Sequence, residues 1–546
     1  MRFRFIIIIL FFFVLYSTLV FNLYKIQIQN GKIYVAKAES QLELSGLLEP
    51  VRGNINFTDN RDKRIPAAMN DDFPFIYVVP KELSDGKEAA RLLEPIIGKS
   101  VSDLEKLFSK KDDPYEPLLA KASDDQVESL KTLALTGVYV QKRPARLYPL
   151  KEVGSQIIGF VSDYGSVNGR PIGQYGIERY YNSELFGIPG TISKDVITQS
   201  KPGKSINLTI DRNVQSFGQD ILAKLVKDYR AKSGSFIVQN PTSGEIIAMG
   251  ALPTFDPNDY SISGIETYID PNVQAVYEPG SVFKVVTMSA GIDTGAIASS
   301  TTYYDSGEVT LNGRTIRNAD LKSHGTLTMT NVLEKSLNTG SVFAQRKTGN
   351  APFLLYLKAF GIENITEVDL PGEISGSLGQ LNRVDTRDIN FATASFGQGI
   401  SMTPLQLITA ISTIANRGSL MRPYINSEIQ PKEIRRVIKA FTADQVSNMM
   451  VSAVDKLNLA TIKGYEVAGK TGTAYVPDFK RGGYTTNVIN TFVGFAPASN
   501  PRFTILFKLD EPYGAPYASV TVIPAFKQLA EFLLSYYNVA PDRPTK

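Results

Sequence analysis

Apolar residues recur every three or four positions in several parts of the chain, a spacing that predicts amphipathic helices. One such helix is predicted over residues 124–133, with Val127 and Leu130 on one face, and a longer one over residues 213–232. A third is predicted over residues 524–537, near the end of the chain. Its apolar stripe consists of Phe526, Leu529, Phe532 and Leu533. Stripes of this kind usually face a hydrophobic core.

Two pairs of short apolar segments predict antiparallel strands, because a turn sequence separates the members of each pair. Residues 235–239 and 245–250 flank Asn-Pro-Thr-Ser-Gly, and residues 491–496 and 503–509 flank Ser-Asn-Pro. One predicted helix precedes the first pair, another follows the second pair, and helical patterns fill the interval between the pairs. We therefore predict an α+β fold, an antiparallel sheet with the terminal helices on one face and a helical region inserted between the strand pairs.

The first residues carry a long apolar run that predicts a membrane anchor. Arg2 and Arg4 precede residues 5–21, a run close to the roughly 20 residues that span a bilayer as a helix. A cleaved signal peptide has a shorter apolar region of about 7–15 residues, followed closely by a small-residue cleavage site. We predict a short cytoplasmic segment at residues 1–4 and an uncleaved, single-pass anchor at residues 5–24. Basic residues flank the run on both sides, so the positive-inside rule does not set its orientation.

The remainder of the chain divides into two predicted domains. Residues 25–205 are polar, interrupted by Pro and Gly, and carry no catalytic constellation, which favours a structural role. Residues 206–539 contain the predicted sheet and its helices, and residues 540–546 are predicted to be a loose tail.

The amino-acid composition excludes several kinds of chemistry but says less about the fold. The 546 residues include 58 basic and 54 acidic side chains, a near-balance that gives no reason to propose nucleic acid as a partner. The chain has no cysteine, which excludes disulfides, thiol catalysis and cysteine-ligated zinc. Any Ser-His-Asp triad or histidine-based metal site would depend on His324, the one histidine. We predict that His324 is a satisfied or surface residue.

A Ser-x-x-Lys sequence follows a Pro-Gly turn and could supply a nucleophile and its base. On a helix, the spacing of Ser281 and Lys284 puts both side chains on one face. A serine hydroxyl is a poor nucleophile at neutral pH unless a neighbouring base activates it. The same spacing occurs at Ser84 and Lys87, where we predict that Ser84 caps a helix beginning near Lys87.

Two further motifs follow Ser281 in order along the chain. Ser336-Leu337-Asn338 falls in a stretch predicted to be helical from about residues 325–328, and Lys470-Thr471-Gly472-Thr473 has a strand-like setting. Glycine in a strand permits close approach of another backbone or a ligand. A second Lys-Thr-Gly sequence, at residues 347–349, lies at the end of a predicted helix, where the glycine suits a helix cap.

This ordered set matches the motifs of penicillin-binding proteins and serine β-lactamases. With the predicted anchor, the chain resembles class B penicillin-binding proteins, which are membrane-anchored D,D-transpeptidases with an elongated pedestal domain of the dimerisation type. The resemblance extends from the anchor to about residue 512. Further landmarks are Arg52-Gly53-Asn54-Ile55, Arg146-Leu147-Tyr148-Pro149, Gly173-Gln174-Tyr175-Gly176-Ile177-Glu178, Pro253-Thr254-Phe255-Asp256-Pro257-Asn258 and Ser395-Phe396-Gly397-Gln398-Gly399.

The resemblance implies roles for the catalytic residues and a serine β-lactamase-like, α+β transpeptidase domain over residues 206–539. Ser281 would attack the penultimate D-Ala carbonyl of a peptidoglycan stem peptide, and Lys284 would be its general base. Ser336 would relay a proton to the leaving amine, and Asn338 would hold the substrate amide.

The resemblance also implies how the substrate is bound. Lys470, Thr471, Gly472 and Thr473 would bind and orient the terminal carboxylate, and the backbone N–H groups of Ser281 and Thr473 would form an oxyanion hole. A base of this kind requires a depressed lysine pKa, and we expect burial and the neighbouring charge of Lys470 to depress the pKa of Lys284. No cofactor and no metal is needed.

The implied partners are β-lactam antibiotics, the cell membrane, a SEDS-family glycan polymerase and other division proteins, with the catalytic domain outside the cytoplasm. Residues 490–497, Asn-Thr-Phe-Val-Gly-Phe-Ala-Pro, and the absence of tryptophan favour the division-type branch and septal wall synthesis. Three alternatives remain at this stage: a serine β-lactamase, a penicillin sensor and an inactive divisome scaffold. A β-lactamase would need a deacylating group, and a sensor would need a cytoplasmic signalling part.

Overall fold

The computed structural model describes residues 2–25, 49–111, 113, 115–167, 170–193, 196–478, 480–515 and 517–544. Residues 26–48 of the predicted pedestal and the last two residues of the predicted tail lie outside the described residues. The chain forms two compact units, Met1–Gly53 with Ser183–Lys204, and Asn54–Asn182 with Ser205–Lys546. The domain boundaries given above stay predictions.

The helices in chain order are α1 (Arg2–Tyr24), α2 (Gly86–Ile97), α3 (Val101–Phe108), α4 (Asp124–Leu133), α5 (Ser155–Ile158), α6 (Gly176–Tyr180), α7 (Asn182–Phe186), α8 (Arg212–Asp228), α9 (Pro271–Gln274), α10 (Lys284–Asp293), α11 (Met329–Lys335), α12 (Asn338–Thr348), α13 (Asn350–Ala359), α14 (Asp388–Ala394), α15 (Pro404–Ala415), α16 (Ala440–Leu457) and α17 (Val522–Tyr536).

The strands in chain order are β1 (Ile55–Thr58), β2 (Ile65–Val78), β3 (Glu116–Leu119), β4 (Val138–Leu147), β5 (Val161–Val167), β6 (Arg170–Gly173), β7 (Thr191–Ser193), β8 (Val196–Thr198), β9 (Ile206–Asp211), β10 (Ser233–Gln239), β11 (Ile246–Leu252), β12 (Thr302–Asp305), β13 (Glu308–Leu311), β14 (Arg314–Arg317), β15 (Gly325–Thr328), β16 (Ser419–Met421), β17 (Glu433–Arg436), β18 (Ala468–Pro477), β19 (Tyr484–Ala496) and β20 (Phe503–Asp510).

The smaller unit contains helix α1 and the two-stranded antiparallel pair β7–β8. Helix α1 covers the predicted anchor at residues 5–24. Within the part of the chain that the structure describes, no helix combines the length and apolar character required to cross a membrane. The anchor and its single-pass topology therefore stay predictions.

In the larger unit, the long strand β2 organises the N-terminal sheet. Strand β2 pairs antiparallel with β4 over ten registered positions, from Met69 opposite Leu147 to Val78 opposite Val138, and it also pairs with β1 and β3. Helices α2, α3 and α4 supply a core on this sheet. Helix α4 confirms the helix predicted over residues 124–133, with Leu130 buried and Val127 packed against the same core.

The predicted cap of helix α2 is wrong by one residue. Helix α2 begins at Gly86, and its N-cap is Asp85 rather than Ser84. The Asp85 carboxylate accepts hydrogen bonds from the backbone N–H groups of Lys87 and Glu88, at 2.9 and 3.1 Å. Asp is as good an N-cap as Ser, and the neighbouring Asp outcompetes it here.

The second sheet confirms the predicted antiparallel arrangement. Its order is β11-β10-β20-β19-β18, with β18 at one edge, and every neighbouring pair in it is antiparallel. Helices α8 and α17 pack into one core on this sheet, where Leu222, Phe236, Phe492 and Phe526 are fully buried. Helices α9 to α16 lie between β11 and β18 in the chain, which confirms the predicted helical insertion.

The helical prediction from residues 325–328 is wrong at its start. These residues form strand β15, which pairs with β12 and places Thr328 opposite Thr302. Thr328 then caps helix α11, because its hydroxyl accepts the Asn331 N–H and the Asn331 side chain accepts the Thr328 N–H. This reciprocal capping box starts the helix at Met329 rather than four residues earlier.

Three of the sequence landmarks meet in the interior. Arg146 Nε lies 2.7 Å from Glu178 Oε1, and both side chains are almost wholly buried. The Tyr148 hydroxyl donates to the same carboxylate oxygen and accepts from the Val161 N–H. The Asn258 side chain makes hydrogen bonds to both the N–H and the carbonyl of Tyr148. These landmarks therefore build the frame rather than the reaction centre.

Candidate active site

The Ser-x-x-Lys motif stands at the start of a buried helix. Residues Gly280–Phe283 form a 3-10 turn that leads directly into α10, and Ser281 is half-buried. The Gly280 N–H donates to the Gly397 carbonyl at 3.2 Å. A Cβ on Gly397, whose φ is +78°, would lie 2.3 Å from the Gly280 carbonyl oxygen, so this contact requires glycine.

Lys284 is completely buried, and its amine points toward the second motif. Lys284 Nζ donates to the Ser336 carbonyl at 2.5 Å and to the Ser336 hydroxyl at 3.3 Å. Burial lowers the pKa of Lys284 well below its usual value, and the nearby Lys470 adds to this lowering. Both causes were expected from the sequence, and burial is the larger of the two.

The structure does not join Ser281 directly to Lys284. Among the described residues, the Ser281 hydroxyl has no hydrogen-bond partner, although the two residues are one helical turn apart. The Lys284 amine is instead held by Ser336, whose carbonyl is the stronger acceptor. A catalytic hydrogen bond is often absent in the free enzyme and forms only when substrate is bound.

Ser336 lies between the two lysines of the motifs. It ends helix α11 in a left-handed conformation, with φ of 56°, and Leu337 separates it from helix α12. Lys470 Nζ donates to the Ser336 hydroxyl at 2.9 Å, in addition to the bond from Lys284. A hydroxyl has two acceptor lone pairs and one proton. Because both lysines donate to this oxygen, its own proton is free to reach a substrate.

Strand β18 presents the third motif along the edge of the sheet. Lys470 is 3% exposed, and burial lowers its pKa to about 7. A Cβ on Gly472 would lie 2.8 Å from both the Pro279 carbonyl oxygen and a Val282 methyl group, so glycine allows β18 to approach the Ser281 turn. An edge strand leaves backbone groups unpaired with any neighbouring strand, where an extended peptide can bind.

The threonines of β18 are oriented by polar contacts. The Thr471 carbonyl and hydroxyl both accept from Lys470 Nζ, at 3.1 and 3.3 Å. Thr473 donates to Asn490 Oδ1 at 3.3 Å, and Asn490 in turn donates to the Ala515 carbonyl and the Thr521 hydroxyl. Both threonines are half-buried, so their outer surfaces remain accessible.

A buried network that the sequence did not reveal fixes the position of Asn338. Asn318 Oδ1 accepts the backbone N–H groups of Asn338 and Thr339, at 3.0 and 3.2 Å. Asn318 is held in turn by the fully buried Asp305 carboxylate, which also accepts from the Thr339 hydroxyl at 2.7 Å. The Asn338 side-chain nitrogen donates to the Arg317 carbonyl at 2.8 Å. No local motif marks Asp305 or Asn318, because their role depends on tertiary contacts.

The Ser-Phe-Gly-Gln-Gly sequence at residues 395–399 holds together the elements that carry the motifs. The Ser395 carbonyl accepts from the hydroxyls of Thr287 on α10 and Ser341 on α12, each at 2.7 Å, and so ties together the helices of the first two motifs. The Gly399 N–H donates to Glu278 Oε1, and the Tyr484 hydroxyl donates to Glu278 Oε2, both at 3.0 Å. Glu278 thus links β19 to the segment before Ser281.

The second Lys-Thr-Gly sequence and His324 have structural explanations. The second Lys-Thr-Gly sequence ends helix α12, where the Gly349 N–H donates to the Gln345 carbonyl at 2.9 Å, which confirms the predicted cap. His324 Nε2 lies 2.8 Å from Asp320 Oδ2, so its side chain is satisfied as predicted. Among the described residues, no group of three or more His, Cys, Asp or Glu side chains is arranged to hold a metal ion.

Chemically, the site combines amines of low pKa with hydroxyls and an open strand edge. A neutral buried lysine can take a proton from a serine at neutral pH, and a second lysine can attract a carboxylate while it is charged. The arrangement suits acyl transfer through a serine.

Two segments of the chain match models of known protein families. Residues 48–222 match the penicillin-binding protein dimerisation domain, and residues 234–531 match the penicillin-binding protein transpeptidase domain.

Curated relatives and solved structures agree with these matches. Stage V sporulation protein D of Bacillus subtilis is 30% identical over 92% of this chain and 82% of its own length, and peptidoglycan D,D-transpeptidase FtsI of Escherichia coli is 31% identical over 78% and 73%. A peptidoglycan synthetase from Bifidobacterium adolescentis is 27% identical, with a TM-score of 0.69 over 91% of this chain and 97% of that one. Penicillin-binding protein 3 of Mycobacterium tuberculosis, solved with aztreonam, is 25% identical, with a TM-score of 0.69 over 91% and 98%.

The family matches cover the candidate site and the N-terminal sheet alike, and the relatives extend over most of the chain. The chain belongs to the class B penicillin-binding proteins.

Proposed function

We propose that this protein is a peptidoglycan D,D-transpeptidase that cross-links stem peptides through an acyl-serine intermediate. Ser281 Oγ attacks the carbonyl carbon of the penultimate D-Ala, and its proton passes to Lys284. The peptide bond then breaks, and the terminal D-Ala leaves as an amine that takes a proton by way of Ser336. An amine from a second stem peptide attacks the ester, which forms the new amide and returns Ser281 with its proton.

One observation carries this proposal: the Ser336 hydroxyl accepts hydrogen bonds from both buried lysines. This arrangement gives a continuous path for a proton from Lys284 to the leaving amine. The lowered pKa of Lys284 supports its role as the base, because a lysine of ordinary pKa would be fully protonated at neutral pH.

The substrate carboxylate is proposed to bind at strand β18. Lys470, Thr471 and Thr473 offer an amine and two hydroxyls at an open strand edge, and Gly472 lets that edge approach Ser281. Backbone N–H groups of Ser281 and Thr473 would stabilise the oxyanion, and Asn338 would hold the substrate amide. A β-lactam would acylate Ser281 in the same way as the stem peptide.

The alternatives make different demands on this site. A serine β-lactamase needs a group that activates water against the acyl-enzyme, and the nearby Glu278 already accepts two hydrogen bonds, from Gly399 and Tyr484. An inactive scaffold would not need two buried lysines, whose burial is costly. A penicillin sensor would need a signalling part of its own.

Labelling of the full chain with a fluorescent penicillin tests the function. We expect a stable adduct that mass spectrometry places on Ser281 and that the Ser281→Ala variant cannot form. The Ser84→Ala variant is the matched control and should label as the wild type does. An adduct on any other residue would contradict the proposed nucleophile, rapid turnover of the drug would favour a β-lactamase, and no adduct would favour a scaffold.

We further propose that residues 5–24 attach the chain to the cell membrane, with the catalytic part outside the cytoplasm. The apolar sequence and the exposure of Phe11, Phe12 and Phe13 on helix α1 support this attachment. Removal of residues 1–25 should release the protein into the soluble fraction. Retention of the shortened protein in the membrane fraction would contradict the proposal.

Septal wall synthesis with a SEDS-family glycan polymerase and other division proteins is the proposed setting. The sequence at residues 490–497 and the absence of tryptophan support the division-type branch. A fluorescent fusion should concentrate at the septum and co-purify with the polymerase from detergent extracts. Uniform labelling of the cell periphery would contradict the septal role.

A further inference from the structure

A cleft of about 800 Å³ beside the candidate active site is lined by an excess of arginines. The four are Arg314, Arg317, Arg383 and Arg387, and Asp385 is the only acidic side chain among the described residues that line the cleft. Charges of one sign in a concave site concentrate their field there and attract ligands of opposite charge.

Two of these arginines form no direct contact with a carboxylate of the described residues, although the charge of Arg387 acts on Asp385. The side chains of Arg314 and Arg387 make no ion pair or hydrogen bond with the residues that the structure describes. Arg317 pairs with Glu308 at 2.9 Å and Arg383 with Asp385 at 3.0 Å, but all four of these side chains are more than half exposed. Exposed pairs of this kind are weak, so an incoming anion can replace the partner.

The cleft is continuous with the catalytic motifs. Asn338 lines it, and the Asn338 side chain is bonded to the Arg317 carbonyl. On the other side, Gly399 and Tyr484 line the cleft and both donate to Glu278, three residues before Ser281. A peptide whose carbonyl lies at Ser281 can therefore extend into the cleft.

Asp385 shows how the cleft acts on a carboxyl group. The pKa of Asp385 is lowered, chiefly by the hydrogen bond from Arg383, and the positive charge of Arg387 contributes. The cleft thus favours the ionised form of a carboxyl group. Guanidinium groups also match carboxylates geometrically, because two N–H groups can bond the two oxygens at once.

We propose that this arginine cleft binds carboxylate groups that precede the terminal D-Ala-D-Ala of the stem peptide that acylates Ser281. This proposal rests on the proposed transpeptidase function, and it adds that the site selects peptides with free acidic groups over amidated ones. Arg314 and Arg387 are the principal ligands, and Arg317 and Arg383 join them by exchanging their surface partners.

Direct binding to the full-length Ser281→Ala protein tests this selection without turnover. The probes are a pentapeptide ending in D-Ala-D-Ala with two free carboxylates on its first three residues, and the same peptide with both groups amidated. By titration calorimetry we expect the dicarboxylate to bind at least tenfold more tightly than the diamide. Equal affinities, or no detectable binding of the dicarboxylate, would overturn the proposal.

A double substitution, Arg314→Gln with Arg387→Gln, should abolish the difference between the two peptides. Arg435→Gln, on the exposed strand β17, is the matched control and should preserve it. A difference in affinity that survives the double substitution would overturn carboxylate selection by this cleft. The penicillin adduct on Ser281 is scored separately, so failure of the proposed function is distinguishable from failure of the cleft.

Discussion

Buried charge is used in opposite ways in two regions of this molecule. In the N-terminal part, Arg146 and Glu178 are buried together as a pair of opposite sign, 2.7 Å apart. In the candidate active site, Lys284 and Lys470 are buried together as a pair of like sign, bridged by a neutral hydroxyl. The first arrangement pairs opposite charges, whereas the second lowers the pKa of both amines.

The difference follows from the cost of removing a charge from water. A buried ion is tolerated when an opposite charge and hydrogen bonds replace the lost hydration. Arg146 and Glu178 each have the opposite charge beside them, and Glu178 also accepts from Tyr148, although the two terminal nitrogens of Arg146 have no hydrogen-bond partner among the described residues. The two lysines have no opposite charge beside them, and burial lowers the pKa of each. An arrangement that costs stability and yields a neutral amine is what a catalytic base requires.

The largest effect is expected from Lys284→Met, which keeps the volume and removes the amine. We expect the rate of acylation of Ser281 by penicillin to fall by about 10²–10⁴-fold, the range for loss of a general base. Stopped-flow or quenched labelling measures this rate. A loss of less than tenfold would mean that another group is the base.

The Lys284→Met variant also tests whether burial of this lysine lowers the stability of the protein. Because the folded pKa of Lys284 is lowered, the unfolded state binds more protons, and the stability of the wild type should rise with pH between neutral pH and the ordinary lysine pKa near 10.4. Lys284→Met should lack this contribution and be relatively more stable at the lower pH. Thermal melts of both proteins from pH 7 to pH 10 measure the difference. Parallel curves would contradict a buried, neutral Lys284.

Glu178→Gln should give the opposite result, a loss of stability without a loss of chemistry. The substitution leaves Arg146 buried without its countercharge, which costs about 3–5 kcal/mol. Urea unfolding followed by circular dichroism measures this change. The acylation rate of the folded fraction at low temperature should stay within about twofold of the wild type.

The control for this prediction replaces both partners with methionine. Because no charge is then left unpaired, the Arg146→Met, Glu178→Met protein should recover much of the lost stability. If the double variant is as unstable as Glu178→Gln, the lost stability comes from altered packing and not from an unpaired charge.

The pH dependence of acylation separates the two lysines. Lys470 has a pKa of about 7, so its charge, and with it the attraction for a carboxylate, is lost as pH rises through that value. The second-order acylation constant should then fall about tenfold per pH unit. Lys470→Arg stays charged and should remove this descending limb. If the acylation constant of Lys470→Arg falls with pH as that of the wild type does, a group other than Lys470 causes the fall.

The sequence predicted the elements and motifs well, because these depend on local patterns. The strand pairs, helix α4, the Gly349 cap and the placement of Lys470 on a strand all follow from periodicity or turn residues. Asp305, Asn318 and Glu278 were not assigned roles, since their partners are 13 to 206 residues away in the chain. The N-cap of helix α2 was also not predicted correctly, because Ser84 and Asp85 are both suitable caps for the same N–H groups.

The smallest expected effect concerns that competition, at the second Ser-x-x-Lys sequence. Ser84 and Lys87 have the spacing of Ser281 and Lys284, but both are exposed and lie at a helix start rather than in a buried site. Asp85→Ala should cost about 0.5–2 kcal/mol of stability, because the N–H groups of Lys87 and Glu88 lose their acceptor. Ser84→Ala should change stability by less than about 0.5 kcal/mol. Equal losses of stability from the two substitutions, measured by urea unfolding, would contradict Asp85 as the helix cap. Neither should alter penicillin labelling, because Ser84 and Lys87 lie at an exposed helix start that is not part of the candidate active site.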